Sequence, residues 1–261
     1  MKLLGLLNKI VPDGQLKASA KAWLMNNVLY RFTGAAQEYK LKDGITIRMK
    51  PLLLVTHSVG NFHLEGYELH YQIKPGDVVV DGGGFQGVFT LYAAAKVGPT
   101  GRVIVFEPDE RLYRLLEQNV KTNQFTNVTL VKKGLWSSET TLRFDSRGNT
   151  SRLELDGDQD HLITTVPVTS LDSEVKRLGI DRVDFIKMNI EGAEIEAVQG
   201  CREVMSQMCP SFAIASDHIR DGEPTARRVQ EGLEAGGYRA FNDYPQHLTV
   251  YGFKPTPSVA A

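Results

Sequence analysis

The sequence VVVDGGGFQG at residues 78–87, followed by VIVFEP at residues 103–108, decides the fold of this chain. Each apolar, β-branched run predicts a buried strand, and each run ends in an acidic residue, Asp81 in the first and Glu107 in the second. The glycines after the first run allow a sharp turn and a close approach of the backbone to a ligand. Because open α/β sheets bind ligands beyond the carboxyl ends of their strands, this segment predicts a nucleoside-binding site.

The same stretch is compatible with two kinds of cofactor. Gly82-x-Gly84-x-x-Gly87, with Glu107 twenty residues further on, has the spacing of a dinucleotide site in which a carboxylate binds ribose hydroxyls. A carboxylate at Asp81 would repel a pyrophosphate, whereas it would attract the sulfonium and ammonium groups of S-adenosylmethionine. The sequence therefore favours a methyl donor. It leaves open a nicotinamide or flavin nucleotide, and a glycine turn that binds nothing.

The composition is that of an ordinary globular protein. The chain has 261 residues, of which 42% are hydrophobic and 23% are charged, enough for one large domain or one domain with an extension. Thirty basic residues against 31 acidic ones give a formal charge of −1, which argues against a dedicated nucleic-acid-binding protein. Cys201 and Cys209 have no histidine cluster beside them, so neither a zinc site nor a disulfide framework is predicted. We expect free thiols in a reducing cytoplasm.

The amino-terminal segment carries no clear targeting signal. No apolar run reaches the roughly 18 residues of a membrane-spanning helix, so none is predicted. Residues 1–11 are leucine-rich but lack the small-residue cleavage site of a signal peptide. A weak peripheral membrane contact stays open, and packing onto the domain or onto a second copy, as a homodimer, is favoured.

The order of predicted elements divides the chain into two parts. Residues 1–74 form an extension with a helix at 16–32 and a hairpin around Asp43-Gly44. From residue 75 to residue 261 strands and helices alternate, which predicts an α/β fold whose mainly parallel sheet has helices on both faces. The predicted strands lie at residues 78–80, 103–106, 128–131, 183–188, 212–215, 238–241 and 248–253, with extra strands at 141–144 and 165–168. The predicted helices lie at residues 88–96, 109–122, 171–178 and 225–235, and from 193 onward.

Several segments, taken together, resemble a known family. They are DGGGFQG at 81–87, VFEPD at 105–109, SLD at 170–172 and DFIKMNIEGAE at 184–194. In this order and spacing they resemble the FkbM family of S-adenosylmethionine-dependent methyltransferases. The resemblance implies a class I methyltransferase (Rossmann-like) fold with seven strands, the last inserted antiparallel. It also implies O-methylation of a small molecule or glycan, as in natural-product or glycan biosynthesis, with S-adenosyl-L-methionine as cofactor.

The resemblance assigns residues to the parts of the donor. The first acid and the glycine turn would hold the methionine part, the acid after the second strand the ribose, and the residues after the third strand the adenine. Trp136 would stack on the adenine. Apart from the resemblance, Tyr67 is a candidate to close over the donor carboxylate. If the family's Asp at position 189 only binds the donor ammonium, the Asn189 carbonyl can do the same, but Asn189 cannot replace an Asp that acts as base or metal ligand. The predicted donor-binding residues are Tyr67, Asp81, Gly82, Gly83, Gly84, Gln86, Gly87, Glu107, Pro108, Gly134, Leu135, Trp136 and Asn189.

The chain departs from the family pattern at three places. Gly84 and Phe85 stand where the family has Ala and Asn, so one side-chain contact to the donor is lost or is supplied by Gln86. Asn189 replaces the Asp of the family's Lys-x-Asp-x-Glu-Gly segment, and Ser216 replaces the Glu of its Glu-x-His segment. These changes leave open that the chain binds the donor without catalysing transfer.

Methyl transfer to a hydroxyl requires in-line alignment and removal of the hydroxyl proton. His218, after the fifth strand, is the predicted general base, because histidine titrates near neutral pH. Glu191, after the fourth strand, is the second predicted catalytic residue; it could orient the acceptor, act as base, or simply satisfy backbone amides at a helix start. His57 and His63 in the extension are candidates for contact with the acceptor. Glu191, Asp217 and Glu194 could contribute oxygen ligands to a divalent metal ion, but Asn189 stands where an acidic ligand is expected, so no metal site is predicted.

Two further functions are weighed against methyl transfer to a small molecule. A Rossmann oxidoreductase or epimerase would use a Tyr-x-x-x-Lys pair, but Tyr67 is followed at that spacing by Tyr71. RNA methylation is disfavoured by the neutral charge and by the absence of a basic, aromatic-interleaved tract. The expected partner is therefore a small-molecule or glycan acceptor, with no nucleic acid.

Overall fold

The structure is a computed structural model that describes residues 37–49, 62–145, 152–153, 163–244 and 247–255. The helix predicted at residues 16–32, the homodimer or membrane contact assigned to the amino-terminal segment, and His57 lie outside the described residues. His63 lies in a described helix, of which only the backbone is described at that position. Within these ranges no helix has the length and apolar character needed to cross a membrane.

From the third strand onward, the strands of the central sheet are separated by helices, in places together with additional strands, except for the last two, which are consecutive. The described elements are β1 (Gln37–Lys40), β2 (Thr46–Met49), α1 (Phe62–Tyr67), β3 (Val78–Gly82), α2 (Val88–Val97), β4 (Arg102–Phe106), α3 (Glu110–Thr122), β5 (Val128–Val131), β6 (Gly134–Leu135), β7 (Thr140–Asp145), β8 (Arg152–Leu153), β9 (Ile163–Thr169), α4 (Leu171–Leu178), β10 (Phe185–Met188), α5 (Glu194–Gln199), α6 (Arg202–Gln207), β11 (Ser211–Ala215), β12 (Ile219–Arg220), β13 (Glu223–Pro224), α7 (Ala226–Ala235), β14 (Arg239–Asp243) and β15 (Thr249–Phe253).

Seven strands form the central sheet, in the order β14-β15-β11-β10-β3-β4-β5. The neighbours from β11 to β5 pair in parallel, whereas β15 pairs antiparallel with both β11 and β14. The predicted class I methyltransferase architecture, mainly parallel with the last strand inserted antiparallel, is therefore confirmed. The carboxyl ends of β3, β4, β10 and β11 meet at one edge of the sheet, which is where the predicted site residues follow.

Helices cover both faces of the sheet. Val80 and Ile186 belong to a core cluster with residues of α4, α5 and α7. Their chain neighbours Val79 and Phe185 belong to a second cluster with residues of α2 and α3. Because successive strand residues point to opposite faces, a strand covered on both sides must be apolar at every position, as VVV and FI are here.

The helix boundaries follow local capping signals. The Ser170 hydroxyl accepts the amide of Ser173 at the start of α4, and Gly179, with φ of 62°, ends that helix at the predicted residue. The helix predicted from residue 193 onward is instead divided into α5 and α6. The Asp172 carboxylate accepts the amides of Glu203 and Val204 at 3.0 and 2.9 Å, and this external cap starts the second helix.

The described part of residues 1–74 packs against the sheet. β1 and β2 pair antiparallel around the predicted turn, and Leu41, Ile47 and Leu64 lie in the same cluster as α2. Glu68 is fully buried and accepts from the Ile73 amide and from Lys96 Nζ, both at 2.8 Å. These contacts hold the end of α1 against the sheet.

A smaller sheet, β6-β9-β7-β8, lies beside the central one. The extra strands predicted at 141–144 and 165–168 correspond to β7 and β9, which pair antiparallel. β6 pairs in parallel with β9, and this pairing fixes the residues that follow the third core strand.

Candidate donor and acceptor site

A buried ion pair joins the carboxyl end of β3 to β10. Lys187 Nζ lies 2.8 Å from Asp81 Oδ1 and donates to the carbonyl oxygens of Gly82 and Gly83 at 3.2 and 3.0 Å. Thr90 donates to Asp81 Oδ2 at 2.6 Å, and Asp81 is fully buried. Asp81 therefore does not present an unpaired charge to a ligand, because Lys187 forms an ion pair with it, and its attraction for a cationic donor stays a prediction. The pair instead fixes the turn by holding two of its carbonyl groups.

The glycine turn passes close to the end of β10. Gly83 has φ of 79°, and a Cβ at this position would lie 2.0 Å from the Asn189 carbonyl oxygen. A Cβ on Gly84 would lie 2.3 Å from Val105 Cγ2. Phe85 follows with φ of 51°, a left-handed conformation that costs energy for a residue with a side chain and is concentrated at functional sites. Only glycine is sterically accepted at residues 83 and 84.

The remaining predicted turn residues are held by the surrounding core. Gly82 ends β3, and Leu135 Cδ1 lies 2.9 Å from where its Cβ would stand. Gly87, with φ of 98°, immediately precedes α2. Gln86 is fully buried, and its carbonyl accepts from Asn119 Nδ2 at 2.8 Å. A side-chain contact from Gln86 to the donor stays a prediction.

Glu107 lies at the carboxyl end of β4, beside the glycine turn. Its two oxygens accept one backbone amide each, from Phe85 at 2.8 Å and from Asp109 at 2.9 Å. Each carboxylate oxygen can accept two hydrogen bonds, so one lone pair on each is left for a pair of hydroxyl groups. Burial raises the pKa of Glu107 to about 8, although the two amides act to lower it.

The residues predicted to flank the adenine surround the start of β6. Gly134 and Pro108 approach each other, with 3.7 Å between the position of a Cβ on Gly134 and Pro108 Cγ. Leu135 is 2% exposed and belongs to the core, so only its backbone can meet a ligand. Trp136 is partly buried and packs against a cluster that includes Ala193. Its stacking on an adenine stays a prediction.

Asn189 and Tyr67 meet at the end of β10. The backbone amide of Asn189 donates to the Gly82 carbonyl at 3.0 Å. The side-chain Oδ1 of Asn189 is buried without a hydrogen-bond partner among the described residues. Tyr67 is 4% exposed and lies edge-on to Phe89. Burial raises the pKa of Tyr67, and a hydrogen bond with the Asn189 side chain acts in the opposite direction. An unsatisfied buried acceptor is costly, so Asn189 Oδ1 is a natural partner for a cationic donor.

The two predicted catalytic residues also lie together. His218 Nε2 is 3.7 Å from Glu191 Oε2, and His218 Nδ1 is 2.9 Å from Glu194 Oε1. Glu194 is fully buried and accepts the amides of Ile190 and Gly192, so the backbone-capping role considered for Glu191 belongs to Glu194. Burial lowers the pKa of His218, but the two carboxylates outweigh it and raise that pKa to about 10. His218 is therefore an imidazolium at neutral pH.

Glu191 has a strained backbone and a side chain that reaches solvent. Its φ is 55°, and the side chain is 34% exposed. The fully buried Glu194 beside it is occupied by two amides, so Glu191 supplies the accessible carboxylate of this pair. Within the described ranges, no group of three or more His, Cys, Asp or Glu side chains could hold a metal ion.

Two residues of this edge were not assigned a role from the sequence. Lys187 had a signal, since a lysine inside the apolar run FIKM requires a buried acid. His247 had none. It lies between β14 and β15, with Nε2 3.7 Å from Asp217 Oδ1 and its ring centroid 6.2 Å from that of Tyr67.

The chain is similar to known methyltransferases. Residues 81–254 match the family described as methyltransferase FkbM domain. "Methyltransferase 1" of Beauveria bassiana is 27% identical over 188 residues, which cover 64% of this chain and 74% of that protein. "Methyltransferase sdnD" of Sordaria araneosa is 27% identical over 157 residues, which cover 48% of this chain and 60% of that protein.

The fold is also found in a solved structure. The crystal structure of methyltransferase FkbM from Methylobacillus flagellatus aligns with a TM-score of 0.51 at 17% identity. The alignment covers 96% of this chain and 58% of that one, so the present chain spans little more than half the length of this neighbour.

Proposed function

This chain belongs to the FkbM methyltransferase family, and we propose that it transfers the methyl group of S-adenosylmethionine to a hydroxyl of a small molecule or glycan. The observation that carries the proposal is the convergence, at one sheet edge, of a glycine turn, a ribose-type carboxylate and a histidine–carboxylate pair. The first two are suited to the donor, and the third lies where the acceptor would approach.

The residues present fit the donor. The turn at Gly83 and Gly84 has no room for a Cβ, which brings its backbone close to whatever occupies the crevice. Glu107 keeps lone pairs for two ribose hydroxyls, and Asn189 Oδ1 lacks the hydrogen-bond donor that an ammonium would supply. The donor, when bound, supplies a methyl group on a positively charged sulfur, which is already activated for displacement.

Glu191 and His218 are proposed to face the acceptor. At neutral pH the two N–H groups of the His218 imidazolium face the carboxylates of Glu191 and Glu194, and the exposed Glu191 carboxylate can accept a hydrogen bond from an acceptor hydroxyl. His218 can accept a proton only where it is deprotonated, near its pKa of about 10. His218 can therefore act as the predicted general base only at alkaline pH.

A hydroxyl acceptor is favoured over nucleic acid by charge. The net charge of −1 lacks the basic excess that a protein dedicated to binding a phosphate backbone usually carries. A hydrogen-bonding pair such as Glu191 and His218 suits a hydroxyl. The match to one relative covers 60% of that protein's length. We propose the acceptor as a class of hydroxyl compound.

The competing function is donor binding without catalysis. It is suggested by Asn189 and Ser216, which stand where the family pattern has acids. Ser216 is fully buried, and its hydroxyl donates to the Ile214 carbonyl at 2.9 Å, so it offers no group to an acceptor.

Turnover on defined acceptors separates the two functions. The protein is incubated with S-adenosylmethionine and, in separate reactions, methyl glycosides of common hexoses and deoxyhexoses and hydroxylated aromatic and polyketide compounds. We expect S-adenosylhomocysteine to form together with a product heavier by one methylene unit. Glu107→Gln serves as a donor-site variant and Glu110→Gln as its surface control. Tight binding of S-adenosylhomocysteine with no methylated product from any acceptor would support the non-catalytic function instead.

A further inference from the structure

The antiparallel insertion of the last strand brings a second histidine to the site edge. β15 starts where β11 ends, with Thr249 opposite Ala215 in the register. The Ser216 amide donates to the Leu248 carbonyl at 2.8 Å, which joins the segment before β15 to the segment after β11. His247 therefore lies at the same edge as His218, although 29 residues separate them in the sequence.

His247 lies among groups of the site. Its Nε2 is 3.7 Å from Asp217 Oδ1, and its ring stands edge-on to Tyr67, which contacts Asn189. The Tyr67 ring in turn lies 5.5 Å from Lys187 Nζ. The His247 side chain is 15% exposed, so it is largely enclosed but still reachable. His247 thus connects the donor-turn residues to the loop that carries His218.

The charges around His247 keep its imidazole neutral. Burial lowers the pKa of His247, and the positive charges of His218 and Lys187 lower it further. The carboxylates of Asp217 and Glu191 act in the opposite direction without reversing the shift. His218 and His247 are therefore in opposite protonation states at neutral pH, and the site pairs an imidazolium with an imidazole.

We propose that His247 is the general base of the methyl transfer, with Asp217 stabilising the imidazolium that it becomes. This inference rests on the proposed function. As the acceptor oxygen forms its bond to the methyl carbon, the carbon–sulfur bond breaks and its electron pair stays on sulfur. The hydroxyl proton passes to the His247 imidazole, and solvent removes it after turnover. His218 remains protonated and holds Glu191 and Glu194 throughout.

The test combines turnover with a direct titration of the imidazoles. Wild type, His247→Asn and His218→Asn are compared with His70→Asn, a control histidine that pairs with a different carboxylate, that of Asp243, at 2.8 Å. Turnover is measured with whichever methyl glycoside or hydroxylated compound the wild type methylates. Histidine ring resonances of the labelled, full-length protein are followed by NMR from pH 5 to pH 10 with no ligand added.

We expect His247→Asn to lower kcat on the order of 10²- to 10⁴-fold, the usual contribution of a general base, and to leave the affinity for S-adenosylhomocysteine unchanged. In the wild type, kcat/KM should rise with pH and reach a plateau below pH 7. The rise should be absent in His247→Asn. The resonance lost in His247→Asn should titrate below 6.5, the ordinary histidine value, while His218 stays protonated beyond pH 9. His70→Asn should match wild type.

Two results are kept apart by this design. A wild type that methylates an acceptor while His247→Asn retains its rate and its pH profile would overturn the assignment of His247 alone. The same holds if the His247 resonance is still protonated at pH 7.5. A wild type that methylates nothing overturns the proposed function, and with it this inference.

Discussion

Replacing Glu107 with glutamine tests the donor site most directly, because the change keeps the size of the side chain while it removes the charge and one of the two acceptor oxygens. Both oxygens of Glu107 already accept backbone amides, from Phe85 and Asp109, and each keeps one lone pair for a ribose hydroxyl. Hydrogen bonds to a charged group contribute about 1.5–3 kcal/mol. At about 1.4 kcal/mol per tenfold, Glu107→Gln should weaken S-adenosylhomocysteine binding roughly 10- to 140-fold.

The raised pKa of Glu107 adds a pH signature. A carboxylate accepts hydroxyl hydrogen bonds better than a protonated carboxyl does, so binding should draw the pKa of Glu107 down from about 8 and release protons. Wild-type affinity should therefore rise from pH 6 to pH 8 and then level off. Glu107→Gln should show no such rise.

Isothermal titration calorimetry in buffers of different ionisation enthalpy measures both the affinity and the protons released. Glu110→Gln is the matched control, since Glu110 is an exposed carboxylate three residues further on that pairs with Arg114 and Lys132. Its affinity and proton release should equal those of wild type. Equal affinity of Glu107→Gln and wild type, or a wild-type affinity that does not change between pH 6 and pH 8, refutes the ribose assignment.

The remaining predictions concern stability. Lys187→Met leaves the Asp81 charge buried without its partner and should lower the free energy of unfolding, measured by urea titration, by about 3–5 kcal/mol. Adding Asp81→Asn should recover much of this loss. A Lys187→Met protein as stable as wild type would show that the ion pair does not stabilise the fold. Gly83→Ala places a Cβ 2.0 Å from the Asn189 carbonyl oxygen at positive φ, whereas Gly179→Ala meets nothing within 4 Å at a left-handed φ of 62°. Both variants should incur the backbone cost of about 1–2 kcal/mol, and only Gly83→Ala should also lose S-adenosylhomocysteine binding; equal losses in the two variants would contradict the steric argument.

The sequence predicts elements whose signals are local. The bounds of α4 are set by Ser170 and Gly179, which act on their immediate neighbours, and the prediction matches the structure there. The start of α6 depends on Asp172, which lies about thirty residues earlier, and the predicted continuous helix is wrong at that point. A cap supplied from a distant part of the chain leaves no trace in the local pattern.

The candidate site likewise depends partly on local signals and partly on partners from distant parts of the chain. Asp81, Glu107 and Glu191 follow strands and could be assigned to one sheet edge, because parallel strands end together. What a side chain does there depends on partners contributed by other strands. Lys187 forms an ion pair with Asp81, and Glu194 accepts the amides expected for Glu191. The position of His247 depends on the antiparallel register of β15, which no spacing within the sequence encodes.

The position of β15 has a consequence for how this protein is made. β14 pairs only with β15 in the described sheet, and β15 lies between it and β11. Because the chain is synthesised from its amino terminus, β11 emerges from the ribosome before β15. The backbone amides and carbonyls along one edge of β11 therefore stay unpaired until residue 253 has emerged. A nascent chain that stalls or is cut short before that residue would retain β3, β4, β10 and β11. The unpaired edge of β11 would then be exposed to strand addition by another chain. β15, the last of the described strands, thus covers the edge of β11 that would otherwise be open to another chain.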